Sequence, residues 1–343
     1  MTRRSSRTRH GSRSILPLAL LTIAACGRAP SDDFVGGSAG AGADAATSPR
    51  DRIDFSTPTF QAVSLLGDTL LAPELPAEAR ETYLSRYEEA RSALGRTPED
   101  ADSLIWMGRR VAYLGHFREA IDVYTHALRL HPDDARIYRH RGHRYLTVRE
   151  LDRAIADFER AAELIEGRPD EVEPDGLPNA LGIPTSTLQF NIWYHLALAH
   201  YVAGDLESAL DAYRSCLAVS AHPDSVVATS YWLYMTLRRL GREAEAAEVL
   251  ARIDEDMGII ESSAYLDLLL LFKGERSLED LVGPSSAEAT LQNTTTAYGL
   301  GVWHLLNGRA DEARRTFEAI LAGRSQWAAF GYLAAEGELA RGR

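Results

Sequence analysis

The densest run of chemically capable side chains is Arg136-Ile137-Tyr138-Arg139-His140-Arg141-Gly142-His143-Arg144. Arginine presents a planar fork of donors that fits a carboxylate through two parallel hydrogen bonds, so the run points to recognition of acidic groups. The histidines invite a metal reading, because His140 and His143 stand one helical turn apart and His195 and His200 share a later stretch. No carboxylate or cysteine completes a recognisable ligand spacing and the neighbouring arginines repel a cation, so no metal and no cofactor is expected. Gly36-Gly37-Ser38-Ala39-Gly40 has the spacing of a serine nucleophile held between glycines. That chemistry needs a strand before the serine and a helix after it, which a Gly/Ala-rich stretch does not supply. With no phosphate loop, zinc-protease helix or cysteine–histidine signature either, no catalytic residue is expected and the chain reads as a non-enzyme.

Composition narrows the choice of partner. The formal net charge is -12, which argues against general binding to a nucleic-acid backbone while leaving room for a local basic patch. Cys26 and Cys216 are the two cysteines, too few for a disulfide framework. Cys216 falls where a small core residue is expected.

The elements that must position these side chains are written as a repeat. Gly108, Val111, Ala120, Tyr124 and Ala127 are followed at 34 positions' distance by Gly142, Tyr145, Ala154, Phe158 and Ala161. Small residues sit where two helices approach, aromatic ones fill the gap, and Pro132 breaks the chain before the next unit. The period and pattern resemble the tetratricopeptide repeat. The resemblance implies an all-α fold, a right-handed α-solenoid of stacked antiparallel helix pairs over residues 78–343. Units are expected near 101–134, 135–168, 190–222, 227–258, 260–293 and 294–323, with turns at Gly115, Gly204, Gly241, Gly274 and Gly308. A leading helix over 78–94 and a closing helix over 326–339 should cap the stack, since solenoids must cover their last apolar face. The fifth unit is the weakest, with Glu279 where a small residue belongs and a short second helix. The period is interrupted at 166–187 by a loop carrying four prolines and the acids Asp170, Glu171, Glu173 and Asp175. Long loops in compact arrays are commonly functional.

The N-terminus reads as an address. Arg3, Arg4, Arg7 and Arg13 precede an apolar run too short to span a membrane as a mature helix, the pattern of a signal peptide over 1–25. Ile23-Ala24-Ala25-Cys26 resembles a bacterial lipobox, which implies lipidation at Cys26 and an anchor in the cell envelope. Gly27 in place of aspartate resembles lipoproteins sorted to the outer membrane, which implies its periplasmic face. Residues 26–77 are expected to form a Gly/Ala/Ser tether followed by an extended segment laid against the first helices.

In tetratricopeptide arrays the first helix of each pair lines a concave face. Carrying those positions over implies a groove of Arg109, Tyr113, Arg136, Arg139, His143, Asn191, Tyr194, Tyr201, Tyr231, Arg238 and Arg239. Over four units that face holds Arg109, Arg136, Arg139, Arg238 and Arg239 against the single acid Asp102, so it should be locally positive and suited to an acidic or C-terminal peptide segment. The lysine and asparagine of the family's carboxylate clamp are not matched, because Ile105, Arg109 and His143 stand there. The expected function is a non-catalytic protein-binding scaffold, with the acidic loop folded back to plug or complete the groove. The alternative is a small-molecule or enzymatic site built by the loop over Tyr194, His195 and the histidines of unit two. The later units turn apolar on this face, which would allow self-association.

Overall fold

The structure, a computed structural model, describes residues 53–281 and 294–342. The expected signal peptide, Cys26 and the Gly/Ala tether lie outside the described residues. The helices are α1 (Ala77–Arg96), α2 (Ala101–Tyr113), α3 (Phe117–Leu130), α4 (Ala135–Thr147), α5 (Leu151–Ile165), α6 (Leu188–Ala203), α7 (Leu206–Val219), α8 (Pro223–Arg239), α9 (Glu243–Leu250), α10 (Ser263–Lys273), α11 (Leu278–Leu281), α12 (Thr294–Leu306), α13 (Ala310–Ala322) and α14 (Phe330–Ala340). Most pack on their sequence neighbours, with short turns inside the pairs, so the described chain is mainly a stack of antiparallel helix pairs. Among the described residues no helix is long and apolar enough to cross a membrane.

The repeat residues act as the pattern requires. A Cβ placed on Gly108 would lie 2.4 Å from the Tyr124 ring, and one on Gly142 would lie 3.1 Å from Phe158, so glycine lets α2 meet α3 and α4 meet α5 at close range. The ring on the second helix fills the space that the missing side chain leaves. Helix starts are capped in sequence-legible ways: Asp100 accepts from the Ser103 N–H, Asp134 from Arg136, Thr187 from Phe190 and Asp205 from Ser208. Within pairs, Gly115, Gly204, Gly241, Gly274 and Gly308 all take positive φ. In the second pair the same place, 34 positions after Gly115, is held by Arg149 at φ 66, the non-glycine residue in that conformation among the described residues.

Two elements depart from the sequence reading. Residues 60–71 form an antiparallel hairpin of β1 (Phe60–Val63) and β2 (Thr69–Leu71), where a merely extended segment was expected. Its turn closes through Ser64, Gly67 and Asp68. The fourth pair is uneven, since α9 stops at Leu250 and an irregular stretch leads to α10. There the Asp224 carboxylate accepts the backbone N–H groups of Ile260, Glu261 and Ser262, tying the start of α8 to the approach of α10.

The closing helix does more than cap. α14 packs against α12 and α13 and also reaches across to α6, placing Glu336 and Glu338 inside the curl of the stack. Both carboxylate oxygens of Glu336 accept from Arg149, at 3.0 and 2.7 Å, and the Arg149 guanidinium also donates to the Trp327 carbonyl. Glu338 takes Arg239 at 2.7 Å, the Tyr298 hydroxyl at 3.2 Å and Arg341 at 3.2 Å. The hairpin joins this closure: Leu65 N–H donates to Glu336 and the Trp327 indole donates to the Leu71 carbonyl. First and last elements therefore meet, and the apolar residues of the later units, including Leu268, Leu271, Tyr298 and Val302, are buried within the chain.

Candidate functional site

The side chains expected to line the groove fall into three places. Arg109 and Tyr113 on α2, Arg139 and His143 on α4, and Asn191 on α6 converge on one chamber of the concave face. Arg139 Nε lies 3.0 Å from Glu173, whose other oxygen is 3.5 Å from His140. Asn191 donates to the same Glu173 at 3.1 Å. Arg109 donates to the Pro174 carbonyl at 2.7 Å, and Arg110 and Arg86 donate to the Gly176 carbonyl. A Cβ on Gly176 would fall 1.9 Å from the Tyr113 hydroxyl, so the loop backbone lies directly on the groove wall. The base of the loop is held by a bridge between Val172 and Thr187 and by the Leu188 N–H donating to Glu171. The acidic loop thus folds back over the first two pairs and covers their concave face.

Arg144 completes the chamber from the far side of α4. Its guanidinium lies 5.4 Å from the Phe117 ring centre and, among the described residues, has no carboxylate against it. Burial together with the like charges of Arg139 and Arg109 pulls it down to about 10. The chamber's histidines are neutral near pH 7: burial and then the nearby arginines lower His195 to about 3 and hold His140 and His143 well below the usual imidazole range. The His143 and His195 rings lie 4.4 Å apart, tilted to one another, and Phe330 of α14 packs on both. The chamber therefore carries the charges of Arg109, Arg139 and Arg144 against the single carboxylate of Glu173.

The second place is the interior. Tyr194, Tyr201 and Tyr231 are buried, not groove-lining: Phe330 of α14 faces Tyr194, Glu338 reaches Tyr201 through Tyr298, and Tyr231 is covered by Tyr265 and Phe272 of α10. Tyr194 accepts from the Trp232 indole at 2.7 Å, Tyr201 accepts from Tyr298 at 2.9 Å, and Tyr231 packs edge-on to Trp232. Arg239 is enclosed with them and held by Glu338. The third place is the rim: Arg136 is taken by Asp102 at 2.7 Å and Asp134 at 2.6 Å, and Arg238 by Glu243 at 2.7 Å. These two do not join the chamber.

Sequence reasoning passed over Arg149, Glu336 and Glu338. The signals were present: Arg149 stands where every other turn has glycine, and two glutamates interrupt the otherwise apolar Phe330–Ala340. Arg144 belonged to the basic run but was not placed in the groove.

Residues 107–170 match the family model of the tetratricopeptide repeat. Among solved structures the chain is similar to YrrB, described as a TPR protein with an unusual peptide-binding site, at 16% identity over 69% of this chain and 93% of that one, with a TM-score of 0.39. It is also similar to MamA protein at 16% identity, over 59% of this chain and 98% of that one, with a TM-score of 0.37. None of the curated proteins matches the chain.

Proposed function

With the tetratricopeptide match at 107–170 as premise, we propose that this chain is a non-catalytic scaffold that holds an acidic peptide segment of a protein partner in its concave face. The observation that carries the reading is that this face already receives acidic chain from within. Glu173 lies on Arg139, His140 and Asn191. A surface whose arginine binds a carboxylate of extended backbone in cis has the chemistry to do so in trans. The leader pattern and Cys26 support an anchor in the bacterial cell envelope, which would keep the scaffold beside envelope partners.

The test is capture of partners from cross-linked envelopes by three forms: wild type, Arg139→Glu in the chamber, and Arg238→Glu on the rim. The reading expects a partner captured by wild type and by the rim variant but lost from the chamber variant. Equal capture by all three would remove the concave face as the interface.

A further inference from the structure

The two internal acidic segments are held in different ways. In α14, Tyr332, Leu333, Ala334 and Ala335 are buried along with the glutamates, so apolar packing fixes this helix for good. The loop buries little of that kind: Val172 is 57% exposed, Leu181 66% and Ile183 44%. What holds 173–177 on the groove is one carboxylate and the carbonyls of Pro174 and Gly176, contacts that a competing acidic chain can replace in kind. Those contacts are also the ones an extended peptide ligand makes, with main-chain carbonyls on arginine forks and one acidic side chain in a polar pocket. Arg144, which shares the field of Arg139 and Arg109 and lies over the Phe117 ring, has no carboxylate against it among the described residues, so part of the chamber's charge is left unmatched.

We propose that residues 173–177 are a built-in, displaceable occupant of the groove, and that the partner is an extended acidic peptide which takes their place with two carboxylates, one on Arg139 and His140 and a second on Arg144. This rests on the groove reading above and specifies its ligand. The clamp between Val172 and Thr187 tethers the internal segment, so that it occupies the site at high effective concentration yet cannot advance to Arg144. A free peptide has no such restraint.

The probe is a synthetic peptide with the sequence of residues 170–178, titrated by fluorescence anisotropy against wild type and two loop variants. Glu173→Gln removes the internal carboxylate. Gly176→Ala crowds the loop against the ends of the Tyr113 and Arg109 side chains, a clash that loosens the loop's seat while every groove residue keeps its identity. Both variants should bind the peptide at least about tenfold more tightly than wild type, since the competent fraction rises as the occupant leaves. Adding Arg144→Gln to Glu173→Gln should weaken binding by about tenfold. Thermal melting of each variant verifies that it is folded. Equal binding by wild type and both loop variants, or indifference to Arg144, overturns the proposal. If that happens while Arg139→Glu still loses the captured partner, the groove reading stands and only the displaceable occupant falls. If capture ignores Arg139, the groove reading itself falls.

Discussion

The closure of the stack hangs on Arg149, and replacing it by glycine separates two opposing effects. Arg149 is held at φ 66, a left-handed conformation that costs an L-residue about 1–2 kcal/mol and that glycine adopts freely. Against that relief, Arg149→Gly removes a guanidinium bonded to both oxygens of Glu336, with the two side chains only 3% and 1% exposed. Breaking a buried pair and leaving one charge uncompensated costs about 3–5 kcal/mol. The net loss is then about 1–4 kcal/mol, which for a chain of this size lowers Tm by roughly 1–6 °C. Glu336→Gln lacks the backbone relief and should be worse, and the double variant should cost less than the sum because both changes remove one interaction. Thermal unfolding followed by circular dichroism gives the ranking. Small-angle scattering of Arg149→Gly should show a larger radius of gyration as α14 and the hairpin loosen. If Arg149→Gly is as stable as wild type and as compact, the bond does not hold the ends together.

Acid should weaken the fold through the chamber. His195 titrates at about 3 when folded against about 6.5 in an unfolded chain, so the unfolded state binds more protons across that window and stability falls as pH drops below 6.5. The loss from this one group is about 2 kcal/mol at pH 5, and urea midpoints of His195→Phe should fall less between pH 7 and pH 5 than those of wild type. Gly108→Ala drives a methyl to within 2.4 Å of Tyr124 and should cost about 1–3 kcal/mol in urea unfolding. Gly95→Ala, with nothing within 4 Å of the new methyl near the end of α1, should instead stabilise by about 0.5–1 kcal/mol. A common sign for the two glycine changes would contradict the packing described here.

The helix pairs were legible because their determinants are local: glycine against ring, cap residues, and glycine at the turn recur with the repeat. The site was legible in part. Arg109, Arg139, His143 and Asn191 came from positions along single helices, and the acidic loop announced itself by breaking the period. Burial of Tyr201 and Arg239 was not legible, since it depends on the chain returning to the third pair, where Arg341 bonds to the Val202 carbonyl 139 positions away. Spacing within a repeat carries no information about how far the whole stack curls. The hairpin was missed for the same reason: its strands are fixed by Arg118 bonding to Gln61 and by Trp327 bonding to Leu71, partners distant in sequence.

The most direct measurement of the central claim is site-specific photocross-linking in whole envelopes, with the photoreactive residue placed at Tyr113 beneath the loop or at the exposed Arg153 on α5. The account predicts an adduct from position 113 whose partner peptide is acidic, and none from position 153. Adducts from position 153 with none from position 113 would place the interface on the outer face and contradict it.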